Sequence, residues 1–162
     1  MTGKQMPQQI DIPRFTTELF DLLDETFENH HGIYLDRGTS LFATLAGINA
    51  EEASQPVGGK CASIAAQVAH VNFYLEVLER YIQTKETGQV DWGEIWRTVK
   101  VVTPEEWETL KNQLQRTYQR VLAMLQGNID WGGETAIGGA LAIVVHTAYH
   151  LGEIRQALCT LK

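Results

Sequence analysis

The chain has 162 residues, 44% of them hydrophobic, and its 13 basic and 20 acidic side chains give a net charge of −7. A chain of this length and composition buries enough apolar surface to fold as a globular domain without disulfide or metal cross-links. Because the acidic balance offers no basic surface for phosphate groups, we expect neither nucleic acid nor an anionic membrane as a partner.

Two further features bear on location. The two cysteines, Cys61 and Cys159, lie far apart and belong to no zinc or redox motif, so we expect both to be small buried residues in a reducing compartment. Residues 1–13 lack the basic and then apolar order of a signal peptide, and no uninterrupted apolar stretch approaches the roughly 18 residues of a spanning helix. The sequence therefore predicts a cytoplasmic protein.

The first half of the chain is predicted to be helical. After Pro13, apolar residues recur at three- and four-residue intervals up to Phe27, with acidic residues on the other face, and this predicts a helix that ends at Gly32. A shorter apolar piece over residues 41–48 predicts a connecting helix. A second long helix is predicted over residues 61–84, because its apolar residues fall in one narrow stripe.

Two more long helices follow a linker over residues 85–103. Residues 103–106 (Thr-Pro-Glu-Glu) form a capping box with proline at the first helical position, which predicts the start of a third long helix that Gly127 closes. The fourth starts near Thr135 and runs to the C-terminus. It is apolar on almost every side, so we expect it to be the most buried helix.

These elements predict an all-α fold. Four long helices with one long linker are typical of a four-helix bundle. Nothing in the composition suggests a second domain, so we expect a single domain over residues 1–162, in which residues 1–12 form a flexible N-terminal segment.

The fourth helix carries the clearest candidate site. His146 and His150 are four residues apart, which places both imidazoles on one helix face about 40° apart, a spacing that lets two side chains share a metal. The residue after His146 is a threonine, so the general base of a zincin peptidase is missing. The paired Glu-x-x-His motifs of a di-iron bundle are absent too. A mononuclear site is what the spacing indicates.

Two other residues complete this site. His70 falls inside the apolar arc of the second long helix and is expected to point inward, where it would be a third nitrogen ligand. Glu153 lies three residues after His150 on the same face. It is a candidate fourth ligand, a partner that holds an imidazole tautomer, or a general base.

Buried hydrogen bonding is the alternative to metal binding. A lone histidine on an apolar helix face is more often a hydrogen-bonded core residue than a ligand, and this interpretation stays open for His70. The His146 and His150 pair needs polar partners that so apolar a helix scarcely offers, so a metal and buried hydrogen bonding are equally supported for this pair by the spacing alone.

The motifs around these histidines resemble the DinB/YfiT-like family of bacterial helical bundles. The similarity lies in residues 63–71 (SIAAQVAHV) and 146–156 (HTAYHLGEIRQ), and it extends in weaker form over nearly the whole chain. In that family one histidine of the second long helix and a His-x-x-x-His pair of the last helix bind a divalent metal. The resemblance assigns these roles to His70, His146 and His150.

The resemblance also implies an architecture and a chemistry. The implied fold is an up-down-down-up bundle with one long crossover, frequently dimeric, with a metal pocket open at one end. Characterised relatives include metal-dependent transferases and isomerases that use low-molecular-weight thiols. Where glutamine often follows the glycine after the last histidine of the family, this chain has Glu153.

The leading hypothesis is therefore a divalent-metal-dependent enzyme, a transferase or hydrolase acting on a small electrophilic substrate. Neutral nitrogen ligands favour zinc or nickel, with manganese or iron as alternatives. A metal would lower the pKa of a bound thiol or water, so that it attacks the substrate near neutral pH. The competing hypothesis is a non-catalytic dimeric bundle that binds metal passively or uses its histidines in buried hydrogen bonds. A mononuclear iron oxygenase built on the two helix-four histidines and Glu153 is a third, for which one helix offers an awkward ligand geometry.

Overall fold

A computed structural model describes residues 11–56, 61–86 and 88–161 of the chain. Within these ranges the regular structure is α-helical, apart from one isolated bridge between Pro56 and Ser63. The predicted all-α class is confirmed. The helices in chain order are α1 (Ile12–Phe27), α2 (Leu41–Ala46), α3 (Ala50–Ser54), α4 (Ile64–Thr84), α5 (Glu94–Thr98), α6 (Pro104–Gln126) and α7 (Ala136–Leu161).

The four long helices α1, α4, α6 and α7 build the core. Helix α4 packs against both α6 and α7, and α1 packs against α7. Their buried side chains form one continuous apolar cluster with those of the connection between α1 and α4. Because α4 and α7 are direct neighbours, residues on their facing sides can meet in a single site.

Helix α1 begins and ends earlier than the sequence predicts, although its last residue is also the last of the apolar recurrence. The side chain of Asp11 caps the first turn by accepting from the backbone of Arg14, and Pro13 lies within that turn. The predicted flexible segment 1–12 falls outside the described residues for residues 1–10, while Asp11 and Ile12 already belong to the helix start. The predicted end at Gly32 is wrong, since Phe27 is the last helical residue and Glu28 is the C-cap, whose backbone N–H donates to the carbonyl of Asp24.

A buried carboxylate explains the early end of α1. Glu25 is fully buried and accepts hydrogen bonds from four successive backbone N–H groups, those of residues 31–34, at 3.2, 2.7, 3.0 and 2.9 Å. Burial alone would raise the pKa of this carboxyl, but the four backbone hydrogen bonds outweigh it and lower the pKa below its ordinary value. The chain therefore turns back around Glu25 instead of continuing the helix, and Gly32 takes a positive φ of 79° within this turn.

The segment between α1 and α4 holds two short helices where one was predicted. Helix α2 ends at Ala46, and Asn49 starts α3 with a capping box that includes Glu52. The buried indole of Trp107 on α6 donates to the carbonyl of Ile48 at 2.7 Å, between the two short helices. This hydrogen bond fixes the connection against the core.

Both predicted signals at the ends of α6 are confirmed. Thr103 and Glu106 make the reciprocal hydrogen bonds of a capping box around Pro104, and Gly127 follows the last helical residue. The preceding crossover contains α5, which the sequence did not predict. The end of the crossover is attached to α3, because the Ser54 hydroxyl accepts from the backbone N–H of Val102 at 3.0 Å.

Helix α7 is less buried than predicted. More than half of the residues of α4 are buried but fewer than half of those of α7, and Val145 and Tyr149 of α7 are largely exposed. The physical reason is that α1 and α4 cover only part of the circumference of α7 within the described residues.

Helix α7 alone among the described helices is long and apolar enough to cross a membrane by length and composition, and 44% of its most apolar window is buried inside the protein. The core helix of a soluble protein meets the same criterion, so this feature is weak support for a membrane span.

Candidate metal centre

Helix α4 presents the first of the three predicted histidines. The helix starts at a defined point because the side chain of Ser63 accepts from the backbone of Ala66. His70 lies two turns into the helix on the side that faces the core and is only 7% exposed. The expectation that His70 points inward is confirmed.

Helix α7 presents the other two histidines. The four-residue spacing places the rings of His146 and His150 side by side, with centroids 4.5 Å apart. His150 is 5% exposed and His146 is half-buried. Both rings lie next to that of His70, each with its centroid 5.0 Å away.

The three imidazoles converge on one point. Each offers a ring nitrogen, and the three nitrogens all lie within 4.8 Å of one another. The Nε2 atoms of His70 and His146 are 3.1 Å apart. Two nitrogens that bind the same zinc ion at about 2.0–2.1 Å are separated by about 3.3 Å in a tetrahedral site. The spacing of these two nitrogens thus fits a shared divalent ion with little movement.

The outward nitrogen of His150 has two acceptors. Its Nδ1 lies 2.7 Å from Oε1 of Gln67 on α4 and 3.0 Å from Oε2 of Glu153 on α7. Both oxygens accept, so the ring proton is held on Nδ1 and the lone pair is left on Nε2. This is the tautomer that a metal ligand requires, fixed by the kind of carboxylate or carbonyl partner that accompanies metal-binding histidines.

The other two histidines contact each other through Nε2 and are packed against aromatic rings. Nδ1 of His70 and Nδ1 of His146 are buried with no hydrogen-bond partner among the described residues. The His146 ring stacks on Tyr74 at 3.5 Å and 8°, and Trp96 lies over His70 with ring centroids 4.3 Å apart. Buried polar atoms without partners are rare in folded proteins, and in a cluster such as this they point to a ligand.

Burial keeps these imidazoles uncharged. Burial lowers the pKa of His70 to about 4 and, with the neighbouring His150 and His70, that of His146 to about 3. Burial also lowers the pKa of His150, against the opposing effect of Glu153. All three rings are therefore neutral near pH 7, which is the protonation state that binds a metal.

A cleft opens onto two of the three histidines, His70 and His150. Its volume is about 780 Å³, and its walls include His70, His150, Gln67, Glu153 and Trp96. A second cavity of about 600 Å³ adjoins this cleft, and Cys61, Ala62 and Trp96 line both. A small molecule that enters the first cleft can reach the histidines with the indole of Trp96 beside it.

Sequence reasoning missed three residues of this centre. Gln67 lies one turn before His70 on the same helix face, a spacing that could have identified it as a partner of the site. Tyr74 lies four residues after His70 and was assigned no site role. Trp96 lies in the crossover, which had no helical periodicity, so no pattern in the sequence pointed to it.

The expectation that both cysteines are buried is wrong. Cys61 and Cys159 are both exposed, and neither is part of the core. Cys61 lies just before the start of α4 and borders the cleft, while Cys159 lies on the solvent side of α7, which the other helices leave uncovered. The prediction of small buried residues was wrong because it assumed that all faces of the long helices were covered.

The fold and the site together define a class of protein: a helical domain with three histidines from two neighbouring helices gathered in one cleft. The family model of the DinB superfamily matches residues 34–154. The chain belongs to this superfamily, and the match contains all three histidines. Comparison with curated proteins found no match, and comparison with solved structures found none either.

Proposed function

We propose that the protein binds one divalent metal ion through His70, His146 and His150. The observation that supports this most strongly is the convergence of three neutral ring nitrogens within 4.8 Å of one another. The donor set fits zinc or nickel, with manganese or iron as alternatives. The two buried Nδ1 atoms without partners add to this, because a purely structural histidine cluster would satisfy them.

We further propose that the metal-loaded protein is an enzyme, a transferase or hydrolase that acts on a small electrophile. A bound divalent ion supplies Lewis acidity, which lowers the pKa of a low-molecular-weight thiol or of water and makes either a nucleophile near neutral pH. The cleft of about 780 Å³ beside the histidines has the size of a small-molecule site.

Glu153 is the proposed base of this site. Its carboxylate lies 3.0 Å from Nδ1 of His150 and lines the cleft, where it can hold the ring proton and receive a proton from an incoming nucleophile. Tyr149 hydrogen-bonds to the same carboxylate. This hydrogen bond, together with the negative charge of Glu153, raises the pKa of the Tyr149 hydroxyl. Trp96 excludes water from one side of His70.

The architecture proposed with this function is an up-down-down-up bundle of α1, α4, α6 and α7, with the crossover after α4 carrying Trp96. The packing of α4 against α6 and α7, and of α1 against α7, supports it. A cytoplasmic location and a small-molecule substrate, with neither nucleic acid nor membrane as partner, complete the proposal.

Metal content is the deciding experiment. Protein purified without affinity tag or chelator is analysed for metals, and metal-free protein is titrated with zinc and nickel by calorimetry, beside His146→Ala and the matched control His30→Ala, which removes an exposed histidine. We expect about one ion per chain in the wild type and in the control, and none in His146→Ala. No metal uptake by the wild type would overturn the proposal and leave a structural bundle.

Catalysis is tested on the metal-loaded protein with a simple thiol and an aryl halide, and separately with an activated ester and water. Glu153→Gln keeps an oxygen that can accept from His150 but removes the base. We expect metal affinity to stay within a few-fold of wild type while turnover falls by about 100-fold or more. Equal turnover of the two proteins would refute the role of Glu153, and no turnover with any thiol or water would refute the enzyme proposal.

A further inference from the structure

Two cavities lie side by side and share part of their walls. The cleft at the histidines has a volume of about 780 Å³, and the second cavity has a volume of about 600 Å³. Cys61, Ala62 and Trp96 line both cavities. Each volume lies within the roughly 300–1,000 Å³ of small-molecule sites. A ligand that is too long for one cavity can therefore extend into the other along the indole of Trp96.

Helix α4 gives the distance between the two cavities. The second cavity contacts the start of the helix through Ser63 and Ala66, and the cleft contacts it further along through Gln67 and His70. His70 follows Ala66 by four residues, which is about 6 Å along the helix axis. A short alkyl chain spans this distance, so one small molecule can lie at the histidines and in the second cavity at once.

The charged side chains that line the two cavities have opposite signs. Among the described residues, the charged residue of the cleft is Glu153, and that of the second cavity is Lys100. A ligand carboxylate would be repelled by Glu153 and attracted by Lys100. In a chain with a net charge of −7, this lysine gives the second cavity a preference for anions that the protein as a whole lacks.

The rest of the second cavity offers an apolar surface. Apart from the residues that it shares with the cleft, its apolar lining consists of Pro56, Ala66, Val99 and Val101. Its two hydroxyl groups already have partners, since that of Ser63 accepts from the backbone N–H of Ala66 and that of Ser54 donates to the carbonyl of Ala50. No ion pair within the described part of the chain engages Lys100. Its ammonium group is therefore available to a ligand.

We propose that the substrate of this protein is an elongated carboxylic acid that occupies both cavities. Its carboxylate pairs with Lys100, its apolar body lies along Trp96, and its electrophilic end lies at His70 and His150. The electrophilic end rests on the function proposed above, whereas the binding of the acid itself requires no metal. Lys100 thus selects the charge of the substrate, and the distance from Lys100 to the histidines selects its length.

The experiment uses octanoate and its neutral amide, octanamide, as probes on the metal-free full chain. The two probes share an apolar chain and differ in charge. By calorimetry we expect octanoate to bind with a dissociation constant of about 1 mM or below, and octanamide about fivefold more weakly. Lys100→Gln should bind the two probes equally. The matched control is Lys85→Gln, which removes the same charge at the other end of α4 and should keep the preference for octanoate.

The two cysteines report where the probe binds. Cys61 lines both cavities, whereas Cys159 is exposed and lines neither. At ten times its dissociation constant, octanoate should slow the alkylation of Cys61 by iodoacetamide by about tenfold, because only about a tenth of the protein is then unoccupied. The alkylation of Cys159 should not change. Mass mapping of the peptides measures both rates in one sample.

The reach of the probe distinguishes one cavity from two. The ring-proton NMR signals of His70 and His150 should shift with octanoate and stay unshifted with butyrate, whose shorter chain ends before the histidines. Signals that shift with neither acid would confine the ligand to the second cavity and overturn the proposal.

Three other results would also overturn it: Cys61 that is not protected, equal binding of octanoate and octanamide by the wild type, or a preference for octanoate that persists in Lys100→Gln. Metal uptake is measured separately, so the two proposals fail in different ways. A protein that binds octanoate as expected and takes up no metal would refute the proposed enzyme and not the acid site.

Discussion

Two buried polar sites lie in the same molecule and are built in opposite ways. Glu25 is enclosed by its own chain, and four backbone N–H groups satisfy its carboxylate. The histidine centre is also largely buried, yet Nδ1 of His70 and of His146 have no hydrogen-bond partner within the described residues. A polar site that is satisfied internally stabilises the fold, whereas one that is left incomplete is suited to bind something from outside.

The largest expected effect is the loss of metal affinity when one of the three histidines is removed, and it distinguishes the histidine centre from Glu25. His150→Ala should lower the metal affinity by more than the roughly 100-fold that the loss of a supporting residue causes. Its stability in the metal-free state should change by about 1 kcal/mol or less, because the lost hydrogen bond to Gln67 is partly exposed. Calorimetry and urea unfolding measure the two quantities. A loss of about 1 to 3 kcal/mol with metal binding intact would show that the histidines are structural.

For Glu25→Ala we expect the reverse, a loss of stability with unchanged metal affinity. This change removes the buried carboxylate that accepts from the backbone N–H groups of residues 31–34 and should lower the free energy of unfolding by about 3 kcal/mol. The folded fraction should bind zinc with wild-type affinity, because Glu25 is not among the residues that line the cleft. Glu18→Ala, on the exposed side of the same helix, is the control and should change stability by less than about 0.5 kcal/mol. A parallel loss of metal affinity would show that the two sites are coupled.

A pH titration sharpens the description of Glu25. Its pKa is lowered in the folded protein, so the ionised carboxylate stabilises the fold above its unfolded pKa of about 4.5, and this stabilisation is lost as the pH falls through the folded pKa. Glu25→Gln lacks this titration. The stability difference between wild type and Glu25→Gln, about 1 to 2 kcal/mol at pH 7, should therefore shrink below about pH 4.5. A difference that is constant from pH 7 to pH 3 would contradict this interpretation.

A smaller effect is expected from the partner of His150. Gln67→Leu removes the nearer of the two acceptors on Nδ1 and leaves Glu153 to hold the ring. The metal affinity should fall by about tenfold, or about 1.4 kcal/mol, at the lower end of the range for such partners. Gln115→Leu, on the exposed side of α6, is the matched control. An unchanged affinity would mean that Glu153 alone fixes the tautomer.

The smallest effect is expected at Trp96. Its stacking on His70 is worth about 0.5–1.5 kcal/mol, so Trp96→Ala should weaken metal binding by roughly two- to tenfold. Trp92→Ala removes an indole that packs on Tyr74 and not on His70, and it should have less effect. A larger loss in Trp92→Ala than in Trp96→Ala would show that Tyr74, rather than Trp96, is the main support of the histidines.

Features that depend on nearby residues were predictable from the sequence. The capping box at Thr103 and the four-residue spacing of His146 and His150 are local patterns, and the structure shows both as expected. The stripe of α4 also indicated that His70 faces inward. The meeting of the three rings followed from these faces and from the family resemblance, while the ligand roles stay a prediction.

Features that depend on distant contacts were not predictable. The end of α1 is decided by Glu25, which accepts hydrogen bonds from a later turn, whereas the predicted end rested on the position of Gly32 alone. The position of Trp96 depends on how the crossover lies across α4. The exposure of Cys159 and Val145 depends on which face of α7 is left uncovered, and composition alone does not distinguish a fully surrounded helix from a partly covered one.

The contact between Trp96 and His70 makes the fluorescence of Trp96 an intrinsic probe of ion binding at the histidines. Because the ring centroids of Trp96 and His70 are 4.3 Å apart, we expect the emission of this indole to change when the imidazole binds an ion. Trp107 and Trp131 lie outside the ring contacts of the histidines and supply a background, and the contribution of Trp92, which packs on Tyr74, is separated with Trp92→Phe. Ion binding can thus be followed by stopped-flow fluorescence on the unlabelled chain, which makes the rates of uptake and release accessible as well as the equilibrium.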